Sequence, residues 1–402
     1  MCAASVRGMR ILHTSDWHLG RTFHGCDLLA DQEQVLTHLA ALVVTEGVDV
    51  VVVSGDVFDR ALPNAETVRL YDRALARIRA AGAQIVLTSG NHDSAARLGV
   101  LAGFAAAGGL HLHTEVEACA TPTLIADKFG DVAFYGLPYL EPDTARLPLG
   151  APSGCGHAGV LGAAMDGVRR DLATRPRGTR SVVLAHAFVL PVAAKECKAD
   201  TSESERSLSV GGCQTAPTPL FDGVDYVALG HLHGCQQPDA TRPWLRYSGS
   251  PLAYSFSEVH QRKSVLLADL DAAALAAVRR IELPVPRRLA VLTGTLEDLL
   301  TRTEHLGHEA DYLRVVLTDR VRPLDPMRRL RARFTHAVAV EWQPAGGRPV
   351  ERLDPTRRRR DADDLSTAAN FVEWVRNSEP TRFERDLLST AFTATRITEA
   401  VG

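Results

Sequence analysis

Short apolar runs alternate with longer amphipathic segments through residues 9–275. The clearest run is the four valines at 50–53, and similar runs occupy residues 11–12, 84–87, 182–185 and 226–229. Between the early runs, residues 31–44 and 65–80 carry apolar side chains at the spacing of a helix. This alternation predicts strand–helix–strand units and a sheet that contains parallel strands.

Each apolar run leads, within a few residues, to side chains that bind metals or transfer protons. These side chains are Asp16, His18, Asp56, Asp59, Asn91, His92, Asp93, His186, His231 and His233. Open α/β sheets place their chemistry at the carboxyl ends of the strands, so we expect these residues to meet at one edge. One such motif is weak evidence, because a single Asp or His is more often structural. Five ordered motifs, each behind an apolar run, strongly favour a functional site.

The ligand types in these motifs favour a metal site. Carboxylates, imidazoles and an amide form a mixed oxygen and nitrogen set without cysteine, which suits Mn, Fe, Mg or Zn. We interpret Asp56 as the carboxylate that bridges two metal ions. Asp16 and His18 can face one metal, and His231 and His233, on one loop, could serve different metals. Two metals are the arrangement that clamps both oxygens of a phosphoryl transfer.

Five segments of this chain carry a recognisable signature. They read MRILHTSDWHLG at 9–20, GDVFD at 55–59, GNHDS at 90–94, DYVALGHLH at 225–233 and YSGSPLAYSF at 247–256. They resemble the calcineurin-like metallophosphoesterases and, within them, the family of SbcD nuclease subunits of bacterial SbcCD complexes. The resemblance is strong over residues 9–270 and weaker beyond. It implies an α/β fold, namely a metallophosphoesterase sandwich of mixed β-sheets flanked by helices, with a small α+β capping domain and a C-terminal helical tail.

The resemblance also implies roles for the motif residues. One metal would be held by Asp16, His18, Asp56 and His233, and the other by Asp56, Asn91, His186 and His231. His92 would be catalytic without binding metal, and Asp93 would orient His92. Asp59 would contact the metal ligands without binding a metal itself. The resemblance implies that the two divalent ions are Mn²⁺, although the ligand types alone leave other divalent ions open.

The function implied is a two-metal DNA nuclease, an exonuclease and endonuclease that acts on double-strand ends and hairpins in DNA repair, replication and recombination. The implied partners are the SbcC ATPase and DNA, with a homodimer of this chain inside a heterotetramer in the cytoplasm, at the nucleoid. Because no Gly-x-x-x-x-Gly-Lys-Ser/Thr motif occurs, ATP would have to act through the partner.

Three other functions share parts of this pattern. A protein phosphatase shares the metals, but its second and third motifs usually end in Asp-Arg-Gly and His-Glu, where this chain has Asp59-Arg60-Ala61 and His92-Asp93. A cyclic-nucleotide phosphodiesterase would typically lack the region after residue 280. A DNA-end-binding scaffold with vestigial metals conflicts with the intact ligand set.

We expect three domains: the nuclease domain at 9–280, the α+β capping and DNA-binding domain at 281–350, and a linker with helices for SbcC docking at 351–402. The capping domain should have strands at 289–293, 312–317 and 337–342. Residues 138–162 are rich in Pro, Gly and Ala and are expected to form a loop, and the polar stretch 195–219 should flank the active site. The arginine run at 357–360 is either a solvated linker or a DNA-contacting patch. The tail from about Ser366 should form two helices split by Pro380, and it either packs on its own domain or binds a partner. Its large apolar residues are Phe371, Trp374, Phe383, Leu387, Leu388 and Phe392.

Composition limits these hypotheses. The net charge of −3 means that a nucleic-acid surface would be local or supplied by a partner, and 41 of the 45 basic residues are arginine. No apolar run reaches the roughly 18 residues that span a membrane. The seven scattered cysteines predict reduced thiols rather than disulfides. Met9 directly precedes the first strand, and we take it as a candidate natural start.

Overall fold

The computed structural model describes residues 8–191, 201–205, 215–344, 364–376 and 379–401. The chain divides into two compact units, Met1–Arg288 and Leu289–Gly402. The expected division into 9–280, 281–350 and 351–402 stays a prediction. The arginine run at 357–360 and the side chain of Trp374 lie outside what the structure describes.

A six-stranded mixed sheet forms the first strand layer of the larger unit. Its spatial order is Leu275–Glu282, Ser264–Leu270, Arg10–Thr14, Val50–Ser54, Gln84–Thr88 and Leu110–His113. The last four strands are parallel to one another, and each pairing among the first three is antiparallel. The parallel strands therefore share one carboxyl edge.

A five-stranded sheet forms the second strand layer. Its spatial order is Leu245–Tyr247, Tyr226–Gly230, Arg180–His186, Gly130–Leu137 and Thr123–Asp127. The first four strands are parallel, and the last pairs antiparallel with its neighbour. Minor two-stranded pairings join Thr22–Phe23 with Cys26–Asp27 and Val189–Leu190 with Ala216–Pro217.

The two sheets face each other across a shared apolar core. Val50 and Val52 belong to one buried cluster with Val182 and Ala228 of the second sheet. Because side chains alternate along a strand, Val51 and its neighbour at 53 point to the opposite face. All four valines have no exposed surface, so this second face is covered as well. The result is a sandwich of two sheets between helical layers, in agreement with the predicted fold class.

Helices cover the outer faces of both sheets. The longer helices of the unit are Leu29–Glu46, Ala65–Ala80, Pro142–Leu149 and His157–Thr174, and the shorter ones are Ala95–Leu98, Ala102–Ala107, Val116–Ala118, Thr218–Phe221 and Phe256–Glu258. The expectation of a loop over 138–162 is therefore wrong. Pro142 stands in the first turn of a helix, where its missing N–H costs nothing, and Gly150 ends that helix in the left-handed conformation. These residues mark helix ends rather than a loop.

The smaller unit contains a three-stranded parallel sheet. Its strands are Leu289–Gly294, Tyr312–Leu317 and Ala337–Trp342, which confirms the three strand predictions to within a residue. The helices Leu296–Thr301, Thr303–His308 and Pro326–Arg331 accompany it. The side chain of Thr295 caps the first helix by accepting a hydrogen bond from the Asp298 N–H, and Leu299, Leu313 and Phe334 lie in its core.

Two helices follow, Asp364–Arg376 and Arg382–Val401, on either side of Pro380. Three large apolar side chains on them are solvent-exposed: Phe371, Phe383 and Leu387, at 62%, 76% and 60%. Among the described residues, no helix combines the length and the apolar character required to cross a membrane.

Candidate metal centre

The backbone bends sharply where the parallel strands end. Asp16, His18, Asp56 and His231 all have positive φ angles of 54°, 44°, 49° and 104°. Such conformations are disfavoured for residues with a Cβ and cost on the order of 1–3 kcal/mol each. Strain of this kind is concentrated at functional sites, and here it turns four predicted site residues toward one region.

Close approach of the strand ends requires glycine. A Cβ at Gly90 would lie 2.1 Å from Oδ1 of Asp56, and one at Gly230 would lie 1.8 Å from the carbonyl oxygen of Ser54. Both contacts are far inside van der Waals distance. Gly90 therefore lets the Gly-Asn-His-Asp loop approach Asp56 within the first sheet, and Gly230 lets the two sheets bring their carboxyl ends together.

Asp56 lies at the centre of the predicted residues. Its Oδ2 is 3.5 Å from Nε2 of His186, 3.6 Å from Nε2 of His18 and 3.9 Å from Nε2 of His92. Its Oδ1 accepts a hydrogen bond of 2.9 Å from the backbone N–H of His92. One carboxylate thus faces imidazoles contributed by both sheets, as a bridging ligand would.

A first group of possible ligands consists of Asp16, His18 and His233, which are fully or almost fully buried and offer ligand atoms within 4.8 Å of one another. Nε2 of His18 lies 3.1 Å from Nε2 of His233. Asp16 accepts hydrogen bonds from Oγ of Ser15 and from the backbone N–H of His231. The structure therefore brings these predicted residues together.

A second group surrounds His186. Its Nδ1 lies 3.0 Å from the carbonyl oxygen of Ser54 and must donate there, so in the neutral ring the lone pair is on Nε2. That lone pair faces Oδ1 of Asn91 at 2.9 Å and the carboxylate of Asp56. The ring of His231 lies 5.3 Å from the ring of His186, centroid to centroid.

These contacts fit divalent cations. With a neutral His186 ring, its Nε2 and Oδ1 of Asn91, as oriented in the structure, are both acceptors, and a cation between them would satisfy both. Nδ1 of His18 is buried and has no hydrogen-bond partner among the described residues. Two buried carboxylates, Asp16 and Asp56, stand among these groups, and buried charges are normally paired or bound to metal.

The pKa shifts describe the same environment. Burial, and then the charge of Asp56, raise the pKa of Asp16 well above its usual range. Burial opposes the charge of Asp56, but the surrounding imidazoles, His186 first, hold its pKa below the usual value. Burial lowers the pKa of His18 strongly and that of His231 to about 3, so these rings are neutral at pH 7, the form that binds metal.

His92 is oriented differently from the expectation. Its Nδ1 lies 2.8 Å from the backbone carbonyl of Asp59, which must accept the proton of that nitrogen. The Asp93 carboxylate instead accepts hydrogen bonds from the backbone N–H groups of Val57, Phe58 and Gly90. The expected orienting role of Asp93 thus falls to the carbonyl of Asp59, and Asp93 fixes the loops that carry Asp56 and His92.

Asp59 and Asp93 remain close to the site. Oδ1 of Asp59 lies 3.6 Å from Nδ1 of His18 and 3.1 Å from a guanidinium nitrogen of Arg21. Burial, and then the charge of Asp56, raise the pKa of Asp93 to about 7.

Sequence reasoning missed a buried polar cluster behind His233. It comprises the buried Ser204, Glu258 and Lys263 and the partly buried Glu205. Burial disfavours the charge of Glu258, but the interactions with Lys263 and His233 together outweigh burial and hold the pKa of Glu258 below its usual range. Glu258 follows the fifth quoted segment by two residues, and this nearness was the available signal. The stretch 195–219 does reach the site, through residues 201–205.

Two family models match this chain. Residues 9–235, more than half of the chain, match the model of the calcineurin-like phosphoesterase family. Residues 285–376 match the SbcD C-terminal model, described as the type 5 capsule protein repressor C-terminal domain.

Three solved structures are similar at low identity. TT1561 of Thermus thermophilus has 13% identity and a TM-score of 0.40, covering 66% of this chain and 99% of its own. A dimetal phosphatase from Danio rerio has 12% identity and a TM-score of 0.39, covering 69% and 100%. GAP50, the anchor in the inner membrane complex of Plasmodium, has 11% identity and a TM-score of 0.39, covering 85% and 99%.

Proposed function

Because the chain belongs to the calcineurin-like phosphoesterase family and carries the C-terminal domain of SbcD-type nucleases, we propose that it cleaves DNA with two metal ions. The chain is a metal-dependent phosphodiesterase of the SbcD type. The proposal adds DNA as substrate, exonuclease and endonuclease action on double-strand ends and hairpins, and a role in DNA repair, replication and recombination.

The observation that carries the proposal is the convergence of both sheets on Asp56. We assign one metal to Asp16, His18, Asp56 and His233, and the second to Asp56, Asn91, His186 and His231, with Mn²⁺ as the ion. When bound, two such ions lower the pKa of a water and neutralise charge on the phosphoryl oxygens. The mutual distances around Asp56 and the facing lone pairs support this assignment.

The chain's own residues position the other reacting groups. His92 donates its Nδ1 proton to the carbonyl of Asp59 and presents Nε2 toward Asp56. A proton held at this Nε2 would stabilise the oxygen that leaves phosphorus, a contribution that is typically about 10²- to 10⁴-fold in rate. Asp93 holds the loop of His92 in place by accepting a hydrogen bond from the backbone N–H of Phe58. The side chain of Asp59 lies close to the ring of His18.

The proposed partners are the SbcC ATPase and a second copy of this chain, acting in the cytoplasm at the nucleoid. The tail supports SbcC docking because Phe371, Phe383 and Leu387 are exposed on its two helices. Exposed apolar side chains of this size are expensive to leave in water, at about 25 cal/mol per Å².

An apolar surface on the larger unit supports the homodimer. Leu62, Val100, Leu101 and Phe104 are 60–81% exposed. Leu62 and Val100 also line a cavity of about 350 Å³. Exposed apolar side chains of this size are typical of interaction sites, and a two-fold axis would let such a surface cover its own copy.

Cleavage assays with a choice of substrates test the proposed function. The purified chain should degrade linear duplex DNA and open hairpins with Mn²⁺, should be inactive with a chelator, and should respond to ATP only when SbcC is present. A phosphomonoester and a cyclic nucleotide, offered under the same conditions, test the two rival enzyme classes. Faster turnover of either rival substrate than of DNA would contradict the proposal, and so would binding of DNA ends without any cleavage.

A further inference from the structure

His233 is held from three sides by a buried polar cluster that the proposed chemistry does not use. Its Nδ1 lies 2.7 Å from Oγ of Ser204, and its backbone N–H donates to Glu205 at 2.7 Å. Its carbonyl oxygen accepts a hydrogen bond of 3.0 Å from Nζ of Lys263. A histidine fixed at its ring and at both backbone groups has little freedom to rotate.

Glu258 and Lys263 form the centre of this cluster. Their side chains pair at 2.6 Å and are 0% and 3% exposed. Oε1 of Glu258 accepts hydrogen bonds of 2.6 Å from Oγ of both Ser202 and Ser204, and Oε2 accepts a bond from the backbone N–H of Tyr254. An ionised carboxylate can only accept, so each serine hydroxyl must direct its proton to Glu258.

This direction of hydrogen bonding determines the tautomer of His233. Since the proton of Ser204 is committed to Glu258, its oxygen can only accept from Nδ1 of His233. The Nδ1–H tautomer leaves the lone pair on Nε2, the nitrogen that faces Nε2 of His18 in the candidate metal centre. Outer partners of a ligating histidine commonly set its tautomer and orientation in this way.

We propose that Glu258 and Lys263 are positioning residues for His233: Glu258 fixes its tautomer through Ser204, and Lys263 fixes its backbone. The proposal rests on the proposed function in treating His233 as a metal ligand. Neither residue touches the reacting atoms. Together they connect the segment 201–205, the loop of His233 and the helix Phe256–Glu258 to one metal position.

Glu258→Gln is the most informative change because it keeps the shape and reverses a hydrogen bond. With the amide oxygen on Lys263, the NH₂ group faces Ser204, so Ser204 accepts from the glutamine and donates to Nδ1 of His233. The proton of the ring then moves to Nε2, which can no longer bind metal. We expect metal affinity at one of the two positions to fall about 10- to 100-fold.

Two measurements test this expectation. Long-range ¹H–¹⁵N NMR of the metal-free chain identifies which nitrogen of His233 carries the proton, with the signal assigned from a His233→Asn variant. Calorimetric titration with MnCl₂ gives the number of sites and their affinities. Glu282→Gln is the matched control, since Glu282 pairs with Arg262 at 3.2 Å but is 56% exposed, and it should leave both measurements unchanged.

Two further variants keep the test decisive. If Glu258→Gln does not fold, the double variant Glu258→Met/Lys263→Met, which leaves no unpaired charge, should fold. It removes the carboxylate that takes the proton of Ser204, so Ser204 can donate to Nδ1 of His233 and the metal affinity should fall in the same direction. Ser204→Ala should retain the Nδ1–H tautomer, because Nδ1 of His233 is already 3.4 Å from Oε1 of Glu258 and can donate to it directly.

The inference is overturned if His233 is an Nε2–H tautomer in the unaltered chain, or if Glu258→Gln changes neither the tautomer nor the affinity. A shift to the Nε2–H tautomer in Ser204→Ala would also overturn it, because the carboxylate would then not determine the proton. Failure of the unaltered chain to bind Mn²⁺ would instead contradict the proposed function, and the NMR result would still decide the tautomer.

Discussion

Arg180 connects the two sheets of the larger unit at their end opposite the metal centre. Its guanidinium donates to both oxygens of Asp127 at 2.8 and 2.6 Å, and to the carbonyl oxygens of Gly130 and Asp271 at 2.9 Å. Its side chain is only 1% exposed, and that of Asp127 is 13% exposed. Because the same strand ends at His186, this clamp helps to set the position of a predicted metal ligand.

Asp127→Asn should therefore be strongly destabilising. It removes the charge that compensates a buried guanidinium, a change that typically costs about 3–5 kcal/mol. By contrast, the double variant Asp127→Asn/Arg180→Met removes both charges and should recover most of this loss. Asp222→Asn is a matched control: Asp222 makes the same two-point contact with Arg242, at 2.7 and 2.9 Å, but is 52% exposed. The control should cost about 1 kcal/mol or less.

At acid pH, the difference in stability between Asp127→Asn and the unaltered chain should disappear. The hydrogen bond from Arg180 outweighs burial and lowers the pKa of Asp127. The Asp127–Arg180 pair thus contributes its full stabilisation above the pKa of the carboxyl in the unfolded chain, about 3.9. This stabilisation is lost as the pH falls through the lower pKa of Asp127 in the folded chain. The variant, which is neutral throughout, lacks this dependence.

Native-state hydrogen exchange, read by mass spectrometry on peptides covering Arg180–His186, measures the free energy of opening for this strand. The expected loss at pH 7 in Asp127→Asn is about 3–5 kcal/mol. A loss within about 1 kcal/mol of the Asp222→Asn control would refute the reasoning, as would a double variant no more stable than Asp127→Asn.

Three more predictions address function. His92→Gln should retain both Mn²⁺ ions in metal analysis but lose about 10²- to 10⁴-fold in DNA cleavage rate, and a missing ion would show that His92 is a ligand after all. Phe104→Glu, which places a charge on a side chain 81% exposed, should convert a dimer to a monomer in light scattering, whereas an unchanged mass would locate the dimer face elsewhere. Leu387→Asp should abolish co-purification with SbcC while Mn²⁺-dependent nuclease activity persists, and full SbcC binding by this variant would indicate that the tail does not dock the ATPase.

The sequence predicted much of the fold because local patterns determine it. The apolar runs are strands, the helix Ala65–Ala80 has the predicted ends, and the strand Tyr312–Leu317 lies where expected. The error at Pro142–Leu149 arose because Pro and Gly were read as loop formers, although each also marks a helix end. Such ambiguity is resolved by packing: Ala145 is fully buried, in the same core cluster as the outer face of the second sheet.

The sequence predicted which residues form the candidate site better than it predicted the hydrogen bonds that hold them. The motifs at the strand ends identified Asp16, Asp56 and His186 because parallel strands share a carboxyl edge, and the structure brings them within 4.8 Å of one another. The hydrogen bonds that Asp93 accepts from the backbone, and the one that Lys263 donates to the carbonyl oxygen of His233, depend on loop conformation and on contacts between residues far apart in the sequence. No periodicity in the sequence encodes either contact.

The central claim is that Asp56 bridges two metal ions, and a calorimetric titration with MnCl₂ tests it most directly. The unaltered chain should bind two ions, and Asp56→Asn should weaken both positions together and abolish DNA cleavage, while the exposed control Asp131→Asn behaves as the unaltered chain. Loss of only one ion in Asp56→Asn, or undiminished cleavage at equal metal concentration, would contradict the bridge.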